Sequence, residues 1–229
     1  MNPIEKKNEV RRMFDSIAHK YDFLNHFLSA GIDIYWRRKA LRLTKLSSDA
    51  FLLDVACGTG DFAIEARKFG VNKIIGADFS FNMLKLFNKK SRWINGMNIQ
   101  VAAEFLPIKN NQVTNITVAF GVRNFYDIQL AFHSFNRVLS KNGKVTILEF
   151  SMPKNIFVKL LYRHYFHSIL PLIGKIISRD KSAYTYLPES VEDFDKNVDL
   201  EKLLSTAGFR KVEKHFLTFG LVQVVIAAK

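Results

Sequence analysis

Leu53–Phe62 reads LDVACGTGDF, and this stretch decides the fold. An apolar run ends near the acid Asp54, Gly58-Thr59-Gly60 follows, and a helical pattern starts at about residue 60. Glycines let a backbone turn tightly and approach a ligand, and the helix after the turn offers free N–H groups. The loop lacks the third glycine of a dinucleotide fingerprint and the Gly-Lys-Ser/Thr of a nucleoside-triphosphate loop, so a pyrophosphate is not the expected ligand. By itself such a turn is also an ordinary tight connection.

Outward from this loop the chain alternates. Apolar runs fall at 51–56, 73–77, 97–103, 113–122, 144–150 and 220–228, with helical patterns at 60–69, 81–91, 127–139 and 199–207. Such β-α alternation predicts a doubly wound, mostly parallel sheet with helices on both faces. Asn142-Gly143 is expected to turn a helix into a strand, and Gly208 to cap a helix ending near Ala207. Segments 210–217 and 220–228 read as a hairpin, which gives the sheet a terminal antiparallel strand. Before the core, Val10, Met13, Phe14 and Ile17 fall at helical spacing, and Trp36, Ala40, Leu41 and Leu43 form a second helical face. The expected division is a helical lid over 1–48, a core over 51–151 and 199–229, and a helical cap inserted at 152–190.

Composition bounds the function. The 229 residues, 48% of them hydrophobic, suffice for one domain with a large core. The 21 Phe suggest an aromatic pocket, or phenylalanine used where leucine would serve. The net charge of +13 favours anionic partners, nucleic acid or an acidic membrane surface, although lysine-rich usage alone produces it too. The single Cys57 excludes an internal disulfide and fits a reducing, cytoplasmic compartment. MNPIEKKNEV has no apolar core of a signal peptide, and no apolar run is long enough to span a bilayer. No His, Cys and carboxylate cluster has metal spacing, so no metal is expected.

Two further segments stand in register with the glycine loop. Asp78, eighteen residues after Gly60, closes the run Ile74–Ala77, where an acid can accept both hydroxyls of a ribose. Val101–Pro107 follows with its AE-x-LP pattern. Together the three elements resemble class I S-adenosylmethionine-dependent methyltransferases. The resemblance implies that Gly58, Thr59 and Gly60, with Asp54, hold the methionine part of S-adenosylmethionine. It implies that Asp78 and Phe79 hold the ribose and that Ala102 and Ala103 line the adenine. Two positions depart from the pattern. Ala56 replaces a frequent glycine, which is tolerable if the backbone there is extended. Ala102 replaces an adenine-binding Asp or Asn, leaving recognition to backbone N–H groups or Glu104.

Longer motifs narrow the family. Met13–Ala18 with Tyr21, Asp22 and Asn25, then Ala119–Asn124, Leu148–Ser151 with Pro153, Tyr184–Ser190 and Ala207–Phe209 are similar to the menaquinone and ubiquinone biosynthesis C-methyltransferases. The likeness covers about residues 8–228. It implies C-methylation of a prenylated quinol, demethylmenaquinol in the first place and a ubiquinone-precursor benzoquinol as the alternative. Residues leaving the fourth strand of an open sheet face its ligand crevice. There Arg123 could stabilise a ring phenolate, or simply pair with a surface carboxylate, and Asn124 could hold a ring oxygen. Tyr21 would come from the lid, with His19 and Asp22 as candidate proton acceptors or orienters; an aromatic packing role for Tyr21 and a structural one for His19 stay open. His164 and His167 read as interfacial.

The segment 156–177, IFVKLLYRHYFHSILPLIGKII with its basic residues, fits an isoprenoid tail and transient contact with an anionic membrane, or simple packing on the sheet. A nucleic-acid partner is not expected. AFGVRN is not the Pro-Pro loop of amino-group base methylation, and Cys57, within the cofactor loop, is no pyrimidine nucleophile. RNA O-methylation is the remnant of that reading. A homodimer is left open.

Overall fold

β1 (Phe51–Val55) is an inner strand of a seven-stranded sheet with the order β3-β2-β1-β4-β5-β7-β6. The other strands are β2 (Lys73–Asp78), β3 (Asn98–Gln100), β4 (Val113–Ala119), β5 (Leu139–Phe150), β6 (Arg210–Leu217) and β7 (Val222–Ala228). The computed structural model describes residues 31–165 and 182–229 together with Arg12, Asp15 and Ser29, with side chains of 182–187 left aside. β1 to β5 pair in parallel, whereas β7 runs antiparallel to both β5 and β6.

Each apolar run of the sequence therefore corresponds to a strand, and the doubly wound expectation holds. The terminal hairpin is present, but the antiparallel strand is not at the sheet edge. β7 enters between β5 and β6, where its apolar residues are covered on both faces, while the polar β6 takes the edge. β3 is shorter than its 97–103 run, because Ala103–Phe105 turn into a 3₁₀ segment. Asn142-Gly143 does not separate a helix from a strand. β5 already begins at Leu139, paired with Val113, and these residues form an irregularity inside it, with Asn142 at φ 63°.

Helices cover both faces. α1 (Ile32–Thr44), α2 (Asp61–Lys68) and α3 (Phe81–Lys90) bury Trp36, Leu41, Phe62, Ala63 and Phe87 against one side. α4 (Ile128–Val138) and α7 (Leu200–Thr206) cover the other with Phe132, Phe135 and Leu204. Gly208, at φ 88°, follows α7 in the left-handed conformation expected of it. Part of the phenylalanine content is core, since Phe87, Phe132 and Phe135 are fully buried.

Among the described residues, two helices lie between β5 and α7. α5 (Ile156–His164) starts on an Asn155 cap whose side chain accepts from Phe157 and Val158 N–H. α6 (Ser182–Asn197) runs beyond residue 190 and seats Phe194 in the core. No helix among the described residues is long and apolar enough to cross a membrane.

Candidate active site

The strand order reverses between β1 and β4, and an open α/β sheet forms its ligand crevice outside the C-terminal ends of the strands at such a point. An open crevice of about 820 Å³ lies there, counted out to solvent. Among the expected site residues, Gly58, Asp78, Phe79, Ala102, Ala103 and Asn124 line it. Asp54, Thr59, Gly60 and Arg123 lie behind the wall. Tyr21, with His19, Asp22 and His167, falls outside the described residues, and His164 is exposed on α5.

Asp54 is 1% exposed, and its two oxygens face inward. Thr117 Oγ1 donates to one at 2.7 Å and the Ala63 N–H to the other at 3.1 Å. The carboxylate thus ties β1 to β4 and to α2, under the glycine loop. Burial pushes its pKa up to about 7 against these two donors. Gly60 packs with equal closeness. At φ 87°, a Cβ added there would meet Phe87 at 2.1 Å, so the loop sits directly on a core ring.

Asp78 is the acid that faces the crevice. Gly58 N–H donates to Oδ2 and Ser80 N–H to Oδ1, each at 2.8 Å. One N–H per oxygen leaves acceptor capacity on both. Burial raises its pKa to about 6; the two N–H groups oppose the rise and the nearby charge of Asp15 adds to it. Asp15 also accepts a hydrogen bond from Ser80 Oγ.

Ala56 and Phe120 are left-handed, at φ 51° and 55°, just beyond β1 and β4. The expectation of an extended Ala56 is therefore corrected. The chain must turn out of β1 at this residue whether or not it is glycine. Gly121 makes room for the methyl group, since a Cβ added to it would stand 2.7 Å from Ala56 Cβ. Non-glycine residues in this region cost energy and cluster at functional sites.

Glu104 is 6% exposed and uses Oε1 to accept from the N–H groups of Tyr126, at 2.8 Å, and Asp127, at 3.2 Å. It joins the segment after β3 to the one after β4, while its neighbours Ala102 and Ala103 give the wall an apolar surface.

Arg123 does pair with a carboxylate, but with a buried one, Glu149, rather than one at the surface. Its Nη1 lies 2.6 Å from Glu149 Oε1, and the two side chains are 7% and 0% exposed. Nη1 also donates to Phe120 O at 2.7 Å, and the guanidinium stands 5.7 Å from the Phe150 ring centre. The signal for Glu149 was one acid in the apolar run Val145–Phe150, where a buried charge demands a partner. Phe120 and Phe150 pack at 4.5 Å with Trp36 edge-on to both, walling this end with aromatic rings. Tyr162 is the one buried residue of α5, and burial pushes its phenol well up while the Arg123 charge draws it down.

An acid poised over a glycine turn, an apolar slot and a buried guanidinium at one crevice suit a nucleoside-bearing donor and an ionisable acceptor. A family model covers this geometry: the ubiE/COQ5 methyltransferase family matches residues 2–229. The chain belongs to that family. It is 41% identical to a ubiquinone/menaquinone biosynthesis C-methyltransferase of Geotalea daltonii, over 98% of each chain. It is 37% identical to a demethylmenaquinone methyltransferase of Bacteroides fragilis, over 100% of this chain and 95% of the relative. A relative of the same name in Chlorobaculum tepidum is 38% identical over 98% and 94%.

Among solved structures, a SAM-dependent methyltransferase of Thermotoga maritima superposes with a TM-score of 0.65 at 18% identity, covering 96% of this methyltransferase and 99% of its own chain. One from Aquifex aeolicus gives 0.60 at 16%, covering 84% and 88%. At that identity they show the shared fold. Among the described residues no group of three or more His, Cys, Asp or Glu is placed to hold a metal ion.

Proposed function

We propose that this methyltransferase methylates a ring carbon of a prenylated quinol, with demethylmenaquinol as the acceptor and S-adenosylmethionine as the donor. The observation that carries the reading is the Arg123–Glu149 pair, buried behind a crevice wall that Asn124 lines, in a chain of this family. The naphthoquinol is favoured because relatives in two genera bear the demethylmenaquinone name; the Geotalea name leaves the benzoquinol as the second reading.

The residues present fit the donor. Asp78 accepts from the ribose hydroxyls, and the Gly58 turn, at φ 55°, brings the backbone close without a Cβ. Phe79, Ala102 and Ala103 flank the adenine, with Glu104 holding their segment in place. Asp54, Thr59 and Gly60 shape the loop for the methionine part. When bound, S-adenosylmethionine supplies an electrophilic methyl group on a sulfonium.

The chain's own residues then act on the acceptor. Arg123, behind the crevice wall, stabilises a ring oxygen through its charge as the ring ionises. Glu149 fixes the guanidinium plane, and Asn124 orients the ring. Tyr21, which lies outside the described residues, is the third residue assigned to the acceptor. Charges cancel as the ring carbon meets the methyl group, so a dry site favours the step and positioning carries much of the rate. The ring proton leaves afterwards. No metal takes part, and the enzyme works on the cytoplasmic side at a bilayer that holds the isoprenoid tail.

Purified protein with labelled donor and a reduced, short-tailed demethylnaphthoquinol or its benzoquinol counterpart tests the reading. Label in the naphthoquinone is expected. Label in neither ring overturns it, and label only in the benzoquinone transfers it to the second acceptor.

A further inference from the structure

α5 presents one side of itself to solvent with nothing polar to justify it. Ile156, Phe157, Leu160 and Leu161 are 67–76% exposed, although Tyr162 beside them is buried. A surface helix usually turns such a stripe inward. Next to it the β6–β7 turn holds out Phe219, 81% exposed, and Phe216, 48% exposed.

The two elements form one surface. Ser151 Oγ donates to Gly220 O at 2.8 Å, and Ser151 N–H donates to Leu221 O at 3.0 Å. Lys154 Nζ and Lys214 Nζ each stand 5.6 Å from the Phe216 ring centre. With Lys159 and Arg163 on α5, cations therefore border the apolar residues.

The turn is also built to display its ring. Thr218 and Phe219 are both left-handed, at φ 48° and 56°, where glycine or asparagine would cost less. Trp36 Nε1 donates to Thr218 Oγ1 at 2.7 Å, fixing the turn to the buried indole. A strained backbone that holds an aromatic ring in water points to a use for that ring.

We propose that α5 and the Phe219 turn are the docking face for an anionic bilayer. Apolar side chains enter the acyl boundary, and Lys154, Lys214, Lys159 and Arg163 meet lipid phosphates. The assignment rests on the prenylated-quinol reading for its purpose. The surface also locates the substrate's route, because the helix that lies on the lipid seats Tyr162 near Arg123.

Full-length protein is co-sedimented, without substrate, with vesicles of phosphatidylcholine alone or mixed with phosphatidylglycerol. Binding to the mixed vesicles at low salt is expected, weakening as salt rises. Phe157→Ser with Phe219→Ser should lower it about tenfold or more, and Lys154→Glu with Lys214→Glu should remove its salt dependence. These positions are exposed, so circular dichroism and methylation of a short-tailed quinol should be unchanged. Equal sedimentation of wild type and variants overturns the proposal, as does no binding to either vesicle. A dimer that dissociates when Phe219 is replaced also overturns it, assigning the surface to a second copy. Vesicle binding needs no turnover, so failure here leaves the quinol reading standing if the short-tailed substrate is still methylated.

Discussion

Arg123 and Glu149 form an ion pair of 2.6 Å from which water is excluded on the acid's side. Two charges that meet in a protein interior give up hydration, and hydrophobic substitutes often serve stability as well. Removing one partner is different, since it strands the other.

Glu149→Ala should therefore cost about 3–5 kcal/mol in urea unfolding. Arg123→Met with Glu149→Leu should recover most of that stability yet abolish methyl transfer, while cofactor affinity stays near wild type. A double variant that still turns over would remove Arg123 from the chemistry.

Asp78 should make donor binding depend on pH. Its pKa stands near 6 because burial outweighs the two N–H donors, and ribose hydroxyls donate best to the ionised form. Affinity for S-adenosylmethionine is expected to rise between pH 5 and pH 7. Asp78→Ala should weaken binding about 10- to 100-fold, and Asp78→Asn should flatten the pH response. Calorimetry giving the same affinity for Asp78→Ala as for wild type would take the residue out of the site.

Asp54 should affect folding instead. Its pKa is raised from 3.8 to about 7, so the native state binds a proton that the unfolded chain has released. By linkage, its contribution to stability is complete below about pH 4 and is lost as pH rises through 7. Asp54→Asn, which can still accept from Ala63 and pair with Thr117, should reduce this decline. Parallel slopes of urea midpoint against pH for wild type and variant would contradict the assignment.

Ala56 and Gly121 should be coupled. Ala56→Gly removes a left-handed alanine and is expected to stabilise by about 1 kcal/mol. Gly121→Ala places a methyl group against Ala56 Cβ and should cost about 1–3 kcal/mol. In the double variant the collision is gone, so the glycine exchange should be nearly neutral. Additive unfolding energies would show that the two atoms do not meet.

Residues whose role is written in local pattern were legible from sequence. Gly58, Asp78 and the alternation of runs located the crevice, because turn chemistry and strand ends are set by near neighbours. Roles that depend on distant partners were not. Nothing adjacent to Asp54 shows that Thr117 and Ala63 consume its oxygens, and nothing near Arg123 announces Glu149, twenty-six positions away. Ala56 was misjudged for a related reason. Its left-handed turn follows from the sheet and from the space that Gly121 leaves, neither of which is visible in LDVACGTGDF.

The position of β7 has a consequence for synthesis. Of the seven strands of this sheet it leaves the ribosome last, yet it is the one that joins β6 to β5. Until it arrives, the edge of β5 stands open in the nascent chain, and an unpaired apolar edge is a template for wrong pairing. Lys229, just past β7, then donates from Nζ to Leu139 O at 2.8 Å, fastening the chain to the start of β5. The sheet is thus completed only when β7 emerges, and loss of β7 would expose the edge of β5 and the inner edge of β6, in addition to the outer edges of β3 and β6 that the native sheet already has.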